Sequence, residues 1–218
     1  MTILTDIQLD TALQKLTKAE EKLYLLLEGA GKDAPAREWL LAHNNEQLFI
    51  PLYIDTDYEP CLGASPLLAI VERDAAFLRW YVENGPKARG ILLASRHGLE
   101  KVLQHLRGMI EVRLPDYNYA AFRYHDPIII ERYVNSIGPE AIERFLGPLA
   151  VMAWPKLMHA KNSPDQWTWR ALIASENLSD EENPYLHPQP IIDLTNEQLD
   201  ACEQAYYTEI VARLHARF

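Results

Sequence analysis

The densest group of polar side chains in the sequence is Arg123-Tyr124-His125-Asp126-Pro127. The neighbouring His125 and Asp126 could act as an acid/base pair, because imidazole and carboxylate groups transfer protons in many active sites. The same residues could instead begin a helix, with Asp126 as the N-cap and Pro127 in the first turn. Arg123 would then be a charge partner that ties the preceding strand to the helix. No separate nucleophile is evident, so the structural interpretation is favoured.

Other patterns that would indicate catalysis or metal binding are incomplete. Ser65 is followed by a proline, which does not suit a nucleophile elbow. Asp55, Asp57 and Glu59 alternate, but the sixth position of an EF-hand loop begun at Asp55 holds a proline where glycine is needed. The seven histidines lack metal-ligand spacing, and no glycine-rich nucleotide-binding loop is present. We therefore expect no catalytic residue, no metal site and no cofactor, and a protein that is not an enzyme.

Three tryptophans, Trp154, Trp167 and Trp169, lie in one segment together with Met158. Aromatic and methionine side chains are enriched at protein interfaces, so these four residues are candidates for contacts with a partner. The alternative is that they fill the junction between two lobes of the protein. The sequence leaves both possibilities open.

Apolar runs alternate with amphipathic helical patterns along the first two thirds of the chain. The runs at 23–27, 67–71 and 90–94 are typical of buried strands. Residues 110–114 and 119–124 enclose a Pro-Asp-Tyr-Asn turn and predict a β-hairpin. This alternation predicts an α/β (α+β) N-terminal lobe with a mixed sheet and flanking helices.

The sequence divides into two predicted lobes. The α/β lobe covers residues 1–154 and begins with an amphipathic helix, because apolar residues recur at helical spacing from Ile7 to Leu16. A smaller, mainly helical lobe covers residues 155–218. It contains a proline-rich extended connector at 183–190 and ends in a helix that starts with the capping box Thr195-x-x-Gln198.

Charge is unevenly distributed along the chain. Its 218 residues (25.0 kDa) carry 21 Lys and Arg against 31 Asp and Glu, a formal net charge of −10. Residues 171–212 contain nine acidic residues and no lysine or arginine. This segment is either a solvated face or a surface that attracts a basic partner. Electrostatic binding to nucleic acid needs a basic face, so no nucleic-acid partner is expected.

The N-terminal sequence and the apolar stretches bear on the cellular compartment. The first residues lack the basic and apolar regions of a signal peptide. No stretch approaches the roughly 18 consecutive apolar residues of a membrane span. We therefore expect a cytoplasmic protein without a membrane span.

A set of short motifs occurs in order from Tyr24 to the last helix. The set comprises YLLLEG at 24–29, GASPLL at 63–68, FLRW at 77–80, GILL at 90–93, LQHLR at 103–107, VRLPD at 112–116, FRYHDP at 122–127, FLGP at 145–148 and LTNEQL at 194–199. In this order and spacing the motifs resemble the effector-chaperone (adaptor) domain of bacterial type VI secretion systems, a family long catalogued as a domain of unknown function.

The resemblance implies a cytoplasmic chaperone without catalytic activity. Such proteins bind a toxic effector and help to load it onto the VgrG spike at the tip of the secretion apparatus, so the implied partners are the effector and the spike. An α/β lobe followed by a smaller helical lobe is also implied. Two other functions stay open: a small hydrolase or transferase that uses His125 and Asp126, and a regulatory protein-binding module outside secretion.

Overall fold

The computed structural model describes residues 3–7, 20–29, 38–39, 42, 49–72, 76–157, 167–174 and 192–204. Within these residues, seven strands form the larger of two sheets: β1 (Ile3–Ile7), β2 (Lys22–Leu27), β3 (Phe49–Pro51), β4 (Leu67–Val71), β5 (Gly90–Ser95), β8 (Val151–Leu157) and β9 (Trp167–Ile173). Their order across the sheet is β1-β9-β8-β5-β2-β4-β3, and every neighbouring pair is antiparallel.

The smaller sheet has three short strands, β6 (Glu111–Arg113), β7 (Tyr119–Ala121) and β10 (Ile192–Asp193), in the order β10-β6-β7. β6 and β7 form an antiparallel hairpin, whereas β10 runs parallel to β6. A small sheet is stable when it buries an apolar face or packs against a helix. Val112 of β6 is accordingly 2% exposed and lies in the main apolar core.

Helices cover both faces of the larger sheet. The helices are α1 (Ala76–Asn84), α2 (Leu99–Gly108), α3 (Pro127–Asn135) and α4 (Pro139–Leu146), with 3-10 turns at Glu59–Ala64 and Gly85–Ala88. Residues 196–204 are also helical. The Thr195 N–H donates to Gln198 Oε1 at 2.8 Å, and the Gln198 N–H donates to Thr195 Oγ1 at 3.3 Å. The predicted capping box is therefore confirmed.

β2 lies between β4 and β5 and is covered on both faces. Tyr24 and Leu26 point into the core beneath α2, α3 and α4, and Leu25 and Leu27 point into the core beneath α1. These four side chains have no exposed surface. Burial on both faces explains why the sequence is a continuous apolar run at β2 and does not alternate with polar residues.

The α+β fold class predicted from the sequence is confirmed. The strands expected at 23–27, 67–71 and 90–94 correspond to β2, β4 and β5, and the expected hairpin corresponds to β6 and β7. The larger sheet is antiparallel throughout, and the mixed pairing lies in the smaller sheet. Residues 3–7 form a strand, so the helix predicted from Ile7 onward does not include that residue.

The predicted boundary between residues 154 and 155 lies inside β8. β8 pairs with β9 along its whole length, from Val151 opposite Ile173 to Leu157 opposite Trp167. β9 also pairs with β1, so residues 167–173 belong to the larger sheet and not to a helical lobe. The division of the chain as a whole stays a prediction, because the connector at 183–190 and most of the expected C-terminal lobe lie outside the described residues.

Candidate functional site

The polar segment at 123–127 is built around the start of α3. Asp126 is the N-cap, and its Oδ1 accepts a hydrogen bond from the Ile128 N–H at 2.9 Å. Pro127 occupies the first turn, where its missing N–H has no cost. The helix-capping roles predicted for Asp126 and Pro127 are therefore confirmed. Capping occupies one oxygen of the carboxylate that the enzymatic hypothesis needs for proton transfer.

Arg123 forms an ion pair with Glu28, at the end of β2, and not with Asp126. Glu28 is 4% exposed, whereas about half of the Arg123 side chain is exposed. The predicted role of Arg123 as a charge partner stands, but the partner is different. Glu28 directly follows β2 of the larger sheet, and Arg123 lies just after β7 of the hairpin. The pair therefore ties the end of the hairpin to the larger sheet, across 95 positions of sequence.

His125 is buried beside the same glutamate. Its side chain is 3% exposed, and Nε2 lies 3.7 Å from Glu28 Oε2. Among the described residues, neither ring nitrogen makes a hydrogen bond, so His125 and Asp126 are not joined as the acid/base hypothesis requires. No group of three His, Cys, Asp or Glu in the described ranges could hold a metal ion.

The three tryptophans do not form one cluster. Successive side chains of a strand point to opposite faces. Trp154 accordingly lies in the core beneath α2 to α4, while Trp167 and Trp169 lie on the other face of the sheet, near α1. Trp167 and Trp169 contact each other edge-on, with ring centroids 5.5 Å apart, and Trp169 also contacts Tyr81. Met158 lies outside the described residues.

Burial decides which tryptophans could touch a partner. Trp154 has no exposed surface and Trp169 is 3% exposed. A direct-contact role for these two residues is not supported by their placement, because a partner would reach them only after a conformational change. Trp167 is half-buried, and its ring packs on Gly85, where an added Cβ would lie 2.5 Å from it. The partner-binding role predicted for Trp167 and Met158 stays a prediction.

Glu131 of α3 contacts polar side chains of β8 and β9. Its carboxylate accepts a hydrogen bond from Trp154 Nε1 at 2.9 Å and faces Lys156 Nζ at 3.1 Å and Arg170 Nε at 3.5 Å. Burial alone would raise the pKa of Glu131. The hydrogen bonds from Trp154, Lys156 and Asn135, with the charge of Arg170, lower that pKa below its usual value. Glu131 is therefore a carboxylate surrounded by hydrogen-bond donors and cations. Its contacts with Trp154, Lys156 and Arg170 hold α3 against the sheet.

A groove of about 300 Å³ lies between the hairpin, the start of α3 and the helical residues 196–204. Its volume is at the lower end of the range for ligand sites. Most of its lining is apolar, with charged groups at three positions; the lining residues are Val112, Leu114, Ala120, Ala121, Phe122, Arg123, Asp126, Ile129, Leu194, Leu199, Cys202 and Glu203. The groove can therefore take an apolar side chain of a partner.

The tip of the hairpin whose strands line the groove exposes aromatic surface. Tyr117 is 78% exposed and Tyr119 is 54% exposed. The Arg113 guanidinium lies 6.0 Å from the centre of the Tyr117 ring and forms two hydrogen bonds of 2.7 Å with Asp193. Exposed tyrosines on a fixed turn are typical of protein interaction surfaces.

The groove was not predicted from the sequence. The signals were present, because Val112 and Leu114 alternate with polar residues and Leu199 and Cys202 share one face of a helix. Each pattern predicts only that its own element buries one face. The hairpin and residues 194–203 are far apart along the chain, so nothing in the sequence indicates that these faces meet. The residues predicted to bind a partner lie in the tryptophan segment instead.

Comparison with known proteins gives one family match. Residues 23–144, more than half of the 218-residue chain, match the family described as Domain of unknown function (DUF4123). The matched stretch runs from β2 into α4 and so includes the hairpin and the capped start of α3. No curated protein and no solved structure matches the chain. None of the helices in the described residues combines the length and apolar character needed to cross a bilayer. The chain belongs to the DUF4123 family.

Proposed function

We propose that this protein is a non-enzymatic cytoplasmic chaperone, or adaptor, that binds a type VI secretion effector and helps to load it onto the VgrG spike. The observation that carries the proposal is the DUF4123 match over residues 23–144. Most of the motifs that resemble the effector adaptors lie in this same stretch. The family match and the motif resemblance therefore point to one region of the chain.

The arrangement of the polar segment supports a function by binding alone. Asp126 caps α3, Arg123 pairs with Glu28, and His125 is enclosed beside that pair. These contacts serve the fold and leave no acid/base pair beside a nucleophile among the described residues. The exposed tyrosines of the hairpin and the groove that the hairpin lines offer surfaces for a protein partner. The adaptor would act by holding the effector until the spike receives it.

Co-expression tests the proposal. The tagged chain is produced with the effector and the spike protein encoded beside it, in all pairwise combinations and as the three together. We expect the effector to co-purify with the chain, and we expect the effector to reach the spike in larger amounts when the chain is present. Failure of the chain to bind either protein would contradict the proposal. Binding of the effector without any gain in spike association would instead favour a regulatory binding module.

A further inference from the structure

β7 lies at the edge of the smaller sheet, and its outer side is open among the described residues. On its inner side, the Leu114 N–H donates to the Asn118 carbonyl and the Phe122 N–H donates to the Ile110 carbonyl, both at 2.7 Å. Backbone groups alternate between the two sides of a strand in an antiparallel pair. The N–H and C=O groups of Tyr119 and Ala121 therefore point away from β6, towards the open edge.

The groove lies beside this open edge. Val112 pairs with Ala120, so both side chains are on the face of the hairpin that lines the groove. Ala121 also lines the groove although its side chain alternates to the other face, which indicates that the groove reaches the β7 backbone. Neighbouring strands lie about 4.8 Å apart, and alternate side chains point to each face. A strand added to β7 would therefore direct every second side chain towards the groove.

Charge around the groove is mainly acidic. Helical residues 196–204 contain Glu197, Asp200 and Glu203 and no lysine or arginine. Glu203 is exposed and lines the groove. Among the described residues that line the groove, the one cation is Arg123, and it is already paired with the buried Glu28. A basic side chain next to the groove is therefore favoured over an acidic one.

We propose that an extended segment of the effector adds to β7 as a strand, with a large apolar side chain in the groove and a lysine or arginine facing Glu203. Main-chain hydrogen bonds at Tyr119 and Ala121 would supply affinity, and the groove would select the side chain. This inference rests on the proposed function and names the part of the effector that the adaptor holds.

The main-chain contact is tested with the full chain and the effector encoded beside it. Ala121→Pro removes an N–H that points away from β6, so the hairpin ladder is kept. We expect effector binding to weaken roughly tenfold or more, because a main-chain hydrogen bond is lost and the ring obstructs the incoming strand. Ala121→Ser keeps the N–H and should bind like the wild type. Equal affinities of the Ala121→Pro and wild-type chains overturn the inference.

The charged contact gives a second test that does not depend on the folding of the proline variant. Glu203→Lys changes an exposed side chain and should weaken effector binding roughly three- to tenfold, with a smaller effect in high salt. Asp200→Lys makes the same change of charge on the same helix but outside the groove lining, so its effect should be smaller and it serves as the control. Equal effects of the two substitutions would count against a basic residue at the groove.

Amide hydrogen exchange separates the possible occupants of the edge. Protection of the Tyr119 and Ala121 amides that appears only with the effector supports the inference. Protection in the isolated chain, or a dimer that Ala121→Pro dissociates, overturns it, because this chain or a second copy then covers the edge.

If the wild type binds the effector and all variants bind equally, the inference fails and the proposed function stands. If the wild type binds neither effector nor spike, both fail.

Discussion

His105 should make the stability of the protein depend on pH. The residue is 4% exposed on α2, and its Nε2–H donates to the Phe145 carbonyl at 3.0 Å. Burial lowers the pKa of His105 from 6.5 to about 4, and the hydrogen bond to Phe145 opposes this shift only in part. As the pH falls below 6.5, the unfolded chain takes up the proton before the folded chain does. The free energy of unfolding therefore decreases towards pH 4.

The size of the effect follows from the shift of the His105 pKa. A change from 6.5 to about 4 corresponds to about 3 kcal/mol, since one pKa unit is worth about 1.4 kcal/mol. This stability is fully present above pH 6.5 and is lost as the pH falls to the folded-state pKa. About 2 kcal/mol should already be lost at pH 5.

Urea unfolding at pH 7.5 and pH 5 measures this effect. Between these pH values, the His105→Gln variant should lose about 2 kcal/mol less than the wild type, because the amide does not titrate. Val102→Ala removes a fully buried side chain from the same helix and is the control. It should lower the stability by the same amount at both pH values. Equal losses in the wild type and His105→Gln would show that the buried His105 ring does not cause the pH dependence.

Further substitutions at four positions test contacts of the polar segment and of Trp167. Asp126→Ala should lower the free energy of unfolding by about 1 kcal/mol because α3 loses its N-cap, and Asp126→Asn should restore most of this in thermal melts. Gly85→Ala should cost more than about 1 kcal/mol, since Gly85 has φ +46° and a Cβ would meet the Trp167 ring; unchanged tryptophan fluorescence would contradict that contact. Arg123→Met should cost about 1 to 2 kcal/mol, below the cost for a fully buried pair because Arg123 is half exposed. Adding Glu28→Gln should recover part of that loss in denaturant unfolding, and strictly additive effects would argue against the pairing.

The parts of the fold that could be predicted from the sequence depend on local signals. An aspartate followed by proline marks the start of α3, and continuous apolar runs mark β2, β4 and β5. Helix capping and the burial of a strand involve residues within a few positions of each other, so their spacing in the sequence is informative. Three pieces of the candidate site were predicted in this way: the capping of α3 by Asp126, the hairpin of β6 and β7, and the capping box at Thr195 and Gln198.

The parts of the fold and of the candidate site that could not be predicted depend on pairing between distant segments. β9 carries two tryptophans, a threonine and an arginine, a composition similar to that of protein interfaces. Its position between β8 and β1 is set by backbone hydrogen bonds, which cannot be inferred from composition. The Glu28–Arg123 ion pair joins residues 95 positions apart. The groove needs the hairpin and residues 196–204 to meet, which follows only from the complete fold.

Under the proposed function, this DUF4123 protein carries an effector to the secretion spike by binding alone. The most direct measurement is a pull-down on the spike protein with the effector, with and without the chain. We expect the effector to be retained on the spike only when the chain is present, and we expect the chain itself to bind the effector. Equal retention of the effector in both samples, with no binding of the chain to either protein, would contradict the proposed function.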